Sequence, residues 1–78
     1  MSQIERLKEQ IRARPSEARF EDVKKLLEAY GYEERRQKGS HVIFAKPQAP
    51  SITVPIIGGQ KVRRVYLDKL CALLGLDD

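Results

Sequence analysis

His41 is the only histidine of the chain, and it directly follows Lys38-Gly39-Ser40. An imidazole is the side chain best suited to moving a proton near neutral pH. Around it, the stretch from Arg35 to Arg64 holds seven basic residues and no acidic one, whereas the rest of the chain holds eight basic and eleven acidic residues. The net charge of +4 is therefore modest, but the positive field is concentrated on one part of the molecule, and a polyanion is its natural partner. A proton acceptor among cations, whose protonated form they disfavour, could serve as a general base beside a bound polyanion. Read singly, each feature has a plainer meaning, since a lone strand histidine is more often structural and a basic stretch is often only solvated surface.

Other chemistries find less support in these residues. A metal site needs several clustered donors, and the basic stretch has no carboxylate, the nearest being Glu33 and Glu34; neither a metal nor any other cofactor is expected. Ser40 adjoins His41, but no nearby acid is evident to orient the ring for a serine nucleophile. Gly58-Gly59 could let backbone amides approach a phosphate, although paired glycines are far more often just a turn. One cysteine, Cys71, excludes an internal disulfide and a cysteine-built zinc site, which points to a reducing compartment.

The elements that must position these residues follow from spacing. Ser2-Gln3-Ile4-Glu5 reads as a capping box, and Ile4, Leu7 and Ile11 then share one face of a helix that ends before Pro15. That stripe is thin, so the helix is expected to pack peripherally. Phe20, Val23, Leu26, Leu27 and Tyr30 predict a second helix, capped by Gly31. A weak strand from Tyr32 to Lys38, the Gly39-Ser40 turn and a β-branched and aromatic strand from His41 to Lys46 predict a hairpin. Alternation can turn Val42 and Phe44 inward, leaving His41 accessible. A third strand runs from Ser51 to Val54, limited to an edge or an end by Pro55. Leu67, Leu70, Cys71 and Leu74 mark a last helix closed by Gly75, while Gln60 to Arg64 is either its first turn or an extended basic loop.

Together these predict an α+β fold, a small three-stranded antiparallel sheet with helices packed on one face. The 78 residues, 41% hydrophobic, suffice for one core. No apolar run approaches the ~18 residues of a membrane span, and the charged first residues do not resemble a signal peptide. The expected location is cytoplasmic, with no membrane association.

The run Lys38-Gly39-Ser40-His41-Val42-Ile43-Phe44, then Ile52-Thr53-Val54-Pro55, then Gly58-Gly59, then Leu67 and Leu70 resembles the HicA or YcfA-like toxin family. Four separated blocks in the right order are more specific than any one of them, and the resemblance covers about Phe20 to Leu76. It implies a fold like the double-stranded RNA-binding domain, α-β-β-β-α, over residues 16–78, preceded by an extra helical extension over residues 1–15. It also implies a type II toxin that cleaves mRNA and an antitoxin of the HicB kind, and it leaves room for a homodimer. His41 takes the place of the family's catalytic histidine. Arg36, Lys38, Gly39, Ser40, Lys61, Arg63 and Arg64 are the expected RNA contacts. Two departures stand out: Ile57 replaces a histidine that many relatives carry before the glycine pair, and Val65-Tyr66 replaces a Gly-Thr that would cap the last helix. The N-terminal helix is available for dimer or antitoxin contact, the plainer reading being a packed, solubilising helix.

Three functions compete on these residues. A metal-independent endoribonuclease would use His41 as general base on a ribose 2′-hydroxyl while lysine or arginine stabilises the phosphate; its acid would be a lysine, water or a group from a second subunit. A non-catalytic RNA-binding module would use the same surface for shape recognition. A protein-interaction domain would offer that surface to an acidic partner.

Overall fold

The computed structural model describes residues 2–77; Met1 and Asp78, the outer ends of the 1–15 and 16–78 division, lie outside the described residues. Ser2 begins the first helix as its spacing to Glu5 predicts, the hydroxyl accepting a hydrogen bond from the Glu5 amide at 3.2 Å. Helix α1 runs over Gln3–Arg12. Its Leu7 and Ile11 are only 4% and 1% exposed, so α1 belongs to the core and is not peripheral. A thin stripe suffices because α2 and α3 both pack on it, covering two side chains from two directions.

After α1 come β1 (Glu17–Arg19), α2 (Phe20–Ala29), β2 (Glu33–Lys38), β3 (His41–Ala45), β4 (Ile52–Pro55), β5 (Lys61–Arg63) and α3 (Arg64–Leu74). Strands β2, β3 and β4 form the antiparallel three-stranded sheet in that order. Val42 and Phe44 of β3 and Ile52 and Val54 of β4 face inward onto Phe20, Val23, Leu26 and Leu27 of α2 and Leu67, Leu70 and Cys71 of α3, in one cluster with Leu7 and Ile11. The rings of Phe20 and Phe44 meet at 6.2 Å, tilted, an arrangement that aromatic pairs favour. The fold is α+β with helices on one face of a small sheet, consistent with the double-stranded RNA-binding domain plus an extra N-terminal helix.

Sequence spacing did not predict a second sheet. β1 pairs antiparallel with β5, with Glu17 opposite Arg63, Ala18 opposite Val62 and Arg19 opposite Lys61. Thus Gln60 to Arg64 is neither a loop nor a helical turn for most of its length; Val62 is fully buried, and α3 begins at Arg64. Its N-cap, Arg63, makes no side-chain capping bond, and Val65 and Tyr66, expected just before this helix, are its second and third residues, so the exchange of the Gly-Thr pair does not fall at the cap. At the other end Gly75 takes φ 67°, the left-handed cap that glycine adopts without strain.

Both ends of the described chain are tied together by Arg14, whose guanidinium bonds the carboxylates of Asp77 and Asp68. The hydrogen bond from Arg14 holds the Asp77 carboxyl below its ordinary range. Beneath this clasp the Cys71 thiol lies 3.7 Å from the Ile11 carbonyl, and burial pushes it up, which suits an inert core residue. No helix among the described residues is long and apolar enough to cross a membrane.

Candidate active site

The hairpin between β2 and β3 positions His41. Lys38 and His41 are the last paired residues, so Gly39 and Ser40 make a two-residue loop. Of these two only Gly39 has positive φ, 60°, the pattern of a type II′ turn, whose twist matches the strands it joins. On the far side, the Ile56 amide donates to the Ser40 carbonyl at 2.7 Å. The turn is therefore held from both sides, and His41 is opposite Lys38 on β2 and opposite Pro55 on β4.

Directly opposed residues point to the same side of a sheet. Because Val42 and Phe44 are buried, the outer face carries His41 and Ile43 from β3, Lys38 and Arg36 from β2, and Thr53 and Pro55 from β4. His41, Lys38 and Arg36 are exposed. Among the described residues no ion pair involves His41, and no carboxylate orients its ring. The only acid of β2 that shares this face is Glu33, at its far end opposite Ala45, where it pairs with Arg35 at 3.4 Å.

A β-bulge at Arg35 keeps the remaining acid away. The register shifts between Glu34 and Arg36, so that Glu34 comes opposite Phe44 on the helix side, where it meets Lys24 of α2 at 3.2 Å. Bulges re-aim side chains in this way. Of the seven cations between Arg35 and Arg64, Arg35 is thus committed to Glu33, and Lys46 lies over the Tyr32 ring at 5.4 Å. The other five, Arg36, Lys38, Lys61, Arg63 and Arg64, have no ion pair among the described residues.

These five do not form one patch. Arg36 and Lys38 share the outer sheet face with His41. Arg63 lines a depression of about 250 Å³ whose other walls are Pro55, Ile57, Val65, Tyr66 and Lys69, and Pro55 links it to His41. Lys61 lines a different depression, with Arg19 and Asp22, and Arg64 lines a shallow one that it shares with Arg63, Ser16 and Glu17, Glu17 being directly opposite Arg63 on β1. Gly39 and Ser40 form the turn itself, and Gly58-Gly59 is the turn into β5, closed by mutual hydrogen bonds of Ile57 and Lys61 at 2.8 and 3.3 Å.

Reading the sequence missed Lys69 and Tyr66. Lys69 lies beyond the acid-free stretch, and Tyr66 drew notice only as a lost cap. The signal was helical spacing, because Val65 and Lys69 are one turn apart on α3 and fall on the same side. Burial pushes the Tyr66 phenol up to about 12, so it stays neutral at any ordinary pH. Among the described residues no three His, Cys, Asp or Glu side chains are placed to hold a metal ion.

Compared with known proteins, residues 20–76 match the model of a family described as the HicA toxin of bacterial toxin-antitoxin. No curated protein and no solved structure matches the chain.

Proposed function

Because the chain belongs to the HicA toxin family of bacterial toxin-antitoxin systems, we propose that it is a metal-independent endoribonuclease acting on mRNA with His41 as general base. One observation carries this reading: the only histidine stands on an open sheet face beside Lys38 and Arg36, cations without an ion pair among the described residues. RNA lies across that face with a phosphate against Lys38 and Arg36. His41 takes the proton of the adjacent 2′-hydroxyl, whose oxygen attacks the phosphorus, and the 5′-oxygen leaves with a proton from Lys38 or water. The charge that builds on the phosphate oxygens is met by the same cations.

As a family toxin the chain has an antitoxin partner; we assign it to the HicB kind, with acidic groups meeting Lys38 and Arg36 so that association is fast and His41 is covered. Induced expression in bacteria tests the proposal. Growth should stop as total mRNA declines, and the purified protein should cleave RNA equally with and without EDTA. Growth arrest with intact mRNA would refute the nuclease. The lack of an orienting carboxylate at His41 favours, as a second reading, an RNA-binding module without catalysis, which binds RNA but leaves it whole.

RNA affinity should fall steeply with salt. With about four phosphate contacts, and a factor of roughly 0.7 per contact for a single strand, log affinity should decline against log salt with a slope of about −3. Replacing Arg36 and Lys38 together with alanine should flatten the slope by about 1.4. A slope near zero for the wild type removes RNA from the account.

A further inference from the structure

The depression beside Pro55 has the chemistry of a ligand site in its own right. Pro55, Ile57, Val65 and Tyr66 supply apolar walls, Arg63 and Lys69 supply the cations, and no carboxylate lines it. Tyr66 is half-buried, whereas Val65 is 72% exposed, so an aliphatic surface stands open at its mouth. Neither Arg63 nor Lys69 has an ion pair among the described residues. An apolar floor with an aromatic ring, rimmed by uncommitted cations, fits a flat aromatic group that carries phosphates on either side. Pro55 is directly opposite His41 across β3 and β4, which sets this site one residue from the proposed base.

Resting on the ribonuclease reading, we propose that the depression receives one unstacked nucleobase next to the scissile phosphate, so that the substrate is single-stranded RNA. The base packs against Tyr66 and Pro55, and Arg63 and Lys69 hold the flanking phosphates. A base within a duplex cannot leave its stack to enter without an energetic penalty, whereas a single strand offers splayed bases freely. The consequence runs against the simplest expectation from the fold, which is recognition of duplex RNA by shape.

The test uses the whole protein and a short single-stranded RNA that it cleaves, together with a series in which each nucleotide in turn is made abasic while sugar and phosphate remain. In the wild type, one abasic position beside the cleavage point should lower kcat/KM about tenfold, in line with stacking of one base on an aromatic side chain. In Tyr66→Leu, which retains apolar packing, that penalty should shrink to about twofold or less. Each ratio of abasic to intact substrate is internal to one protein, so a change in stability does not enter. Val65→Ser, at an exposed position, should reduce the penalty in part and serves as the second variant. A wild type that cleaves intact RNA but shows no such position, or an undiminished penalty in both variants, overturns the base site and leaves the nuclease standing. Equal cleavage of every strand by all three proteins likewise overturns the base site. A wild type that neither binds nor cleaves any strand overturns both readings.

Discussion

His41→Ala should lower the rate of RNA cleavage on the order of 10²- to 10⁴-fold while RNA affinity stays nearly unchanged. The range is the usual contribution of a general acid or base. Affinity should persist because the proposed contacts of Lys38, Arg36 and Arg63 with the phosphate backbone act in the ground state and do not depend on the imidazole. Folding should persist as well, for His41 is exposed and its removal opens no cavity; the change in stability should lie within about 1 kcal/mol. Single-turnover cleavage, salt-matched binding and a denaturant melt of the two proteins separate these effects. A variant that cleaves like the wild type takes the base role away from His41, and a variant that melts several kcal/mol earlier makes the histidine structural. Growth arrest should vanish with cleavage, since both are proposed to have one cause.

Ile11→Ala should be as damaging to folding as a substitution in the middle of the sheet. Ile11 is 1% exposed and packs among residues of α2 and α3, so its truncation removes buried methyl groups and leaves a cavity, at about 2–5 kcal/mol. Small domains have total stabilities of roughly 5–15 kcal/mol, and this one stands at the small end in size. The variant should therefore be largely unfolded near 37 °C, and with it both RNA cleavage and growth arrest should disappear. Glu9→Ala, at an exposed position of the same helix, should change stability by no more than about 0.5 kcal/mol. Equal denaturation midpoints for the two variants would return α1 to the role of a peripheral extension.

The parts of the fold that could be read from sequence were those held by neighbours in sequence. The Gly39-Ser40 turn, the inward placement of Val42 and Phe44 and the buried face of α2 all depend on contacts within a few residues, where periodicity and turn chemistry carry the information. β1 could not be read this way. Glu17-Ala18-Arg19 has no β-branched residue and only Ala18 turns inward; it is a strand because Val62 arrives from far along the chain to pair with it. α1 was misjudged for the same reason, since its two buried side chains are covered by helices the stripe itself cannot reveal. At the site, the charge count picked out Arg36, Lys38 and Arg63 but not Lys69 on α3, nor did it tell that a bulge at Arg35 carries Glu34 to the helix side, nor that Arg63 and Lys61 line different depressions. Hairpin register is readable from a turn; a bulge within a strand of charged residues leaves no periodic trace.

The pairing of β1 with β5 also dictates the order in which the molecule can assemble. The hairpin that presents His41 closes over two residues, but its support closes over most of the chain: Arg14 reaches Asp68 and Asp77 across 54 and 63 positions, and Cys71 reaches Ile11 across 60. Closing a loop of that length takes about 3–4 kcal/mol of chain entropy, and none of it is offset until α3 exists to dock. Such non-local closure slows folding relative to a helical bundle of equal size. During synthesis β1 waits unpaired until residues 61–63 have emerged, and α1 waits longer still for its second neighbour. A nascent chain stopped short of α3 already possesses its histidine and most of its cations, but lacks the fold that would hold them to one another.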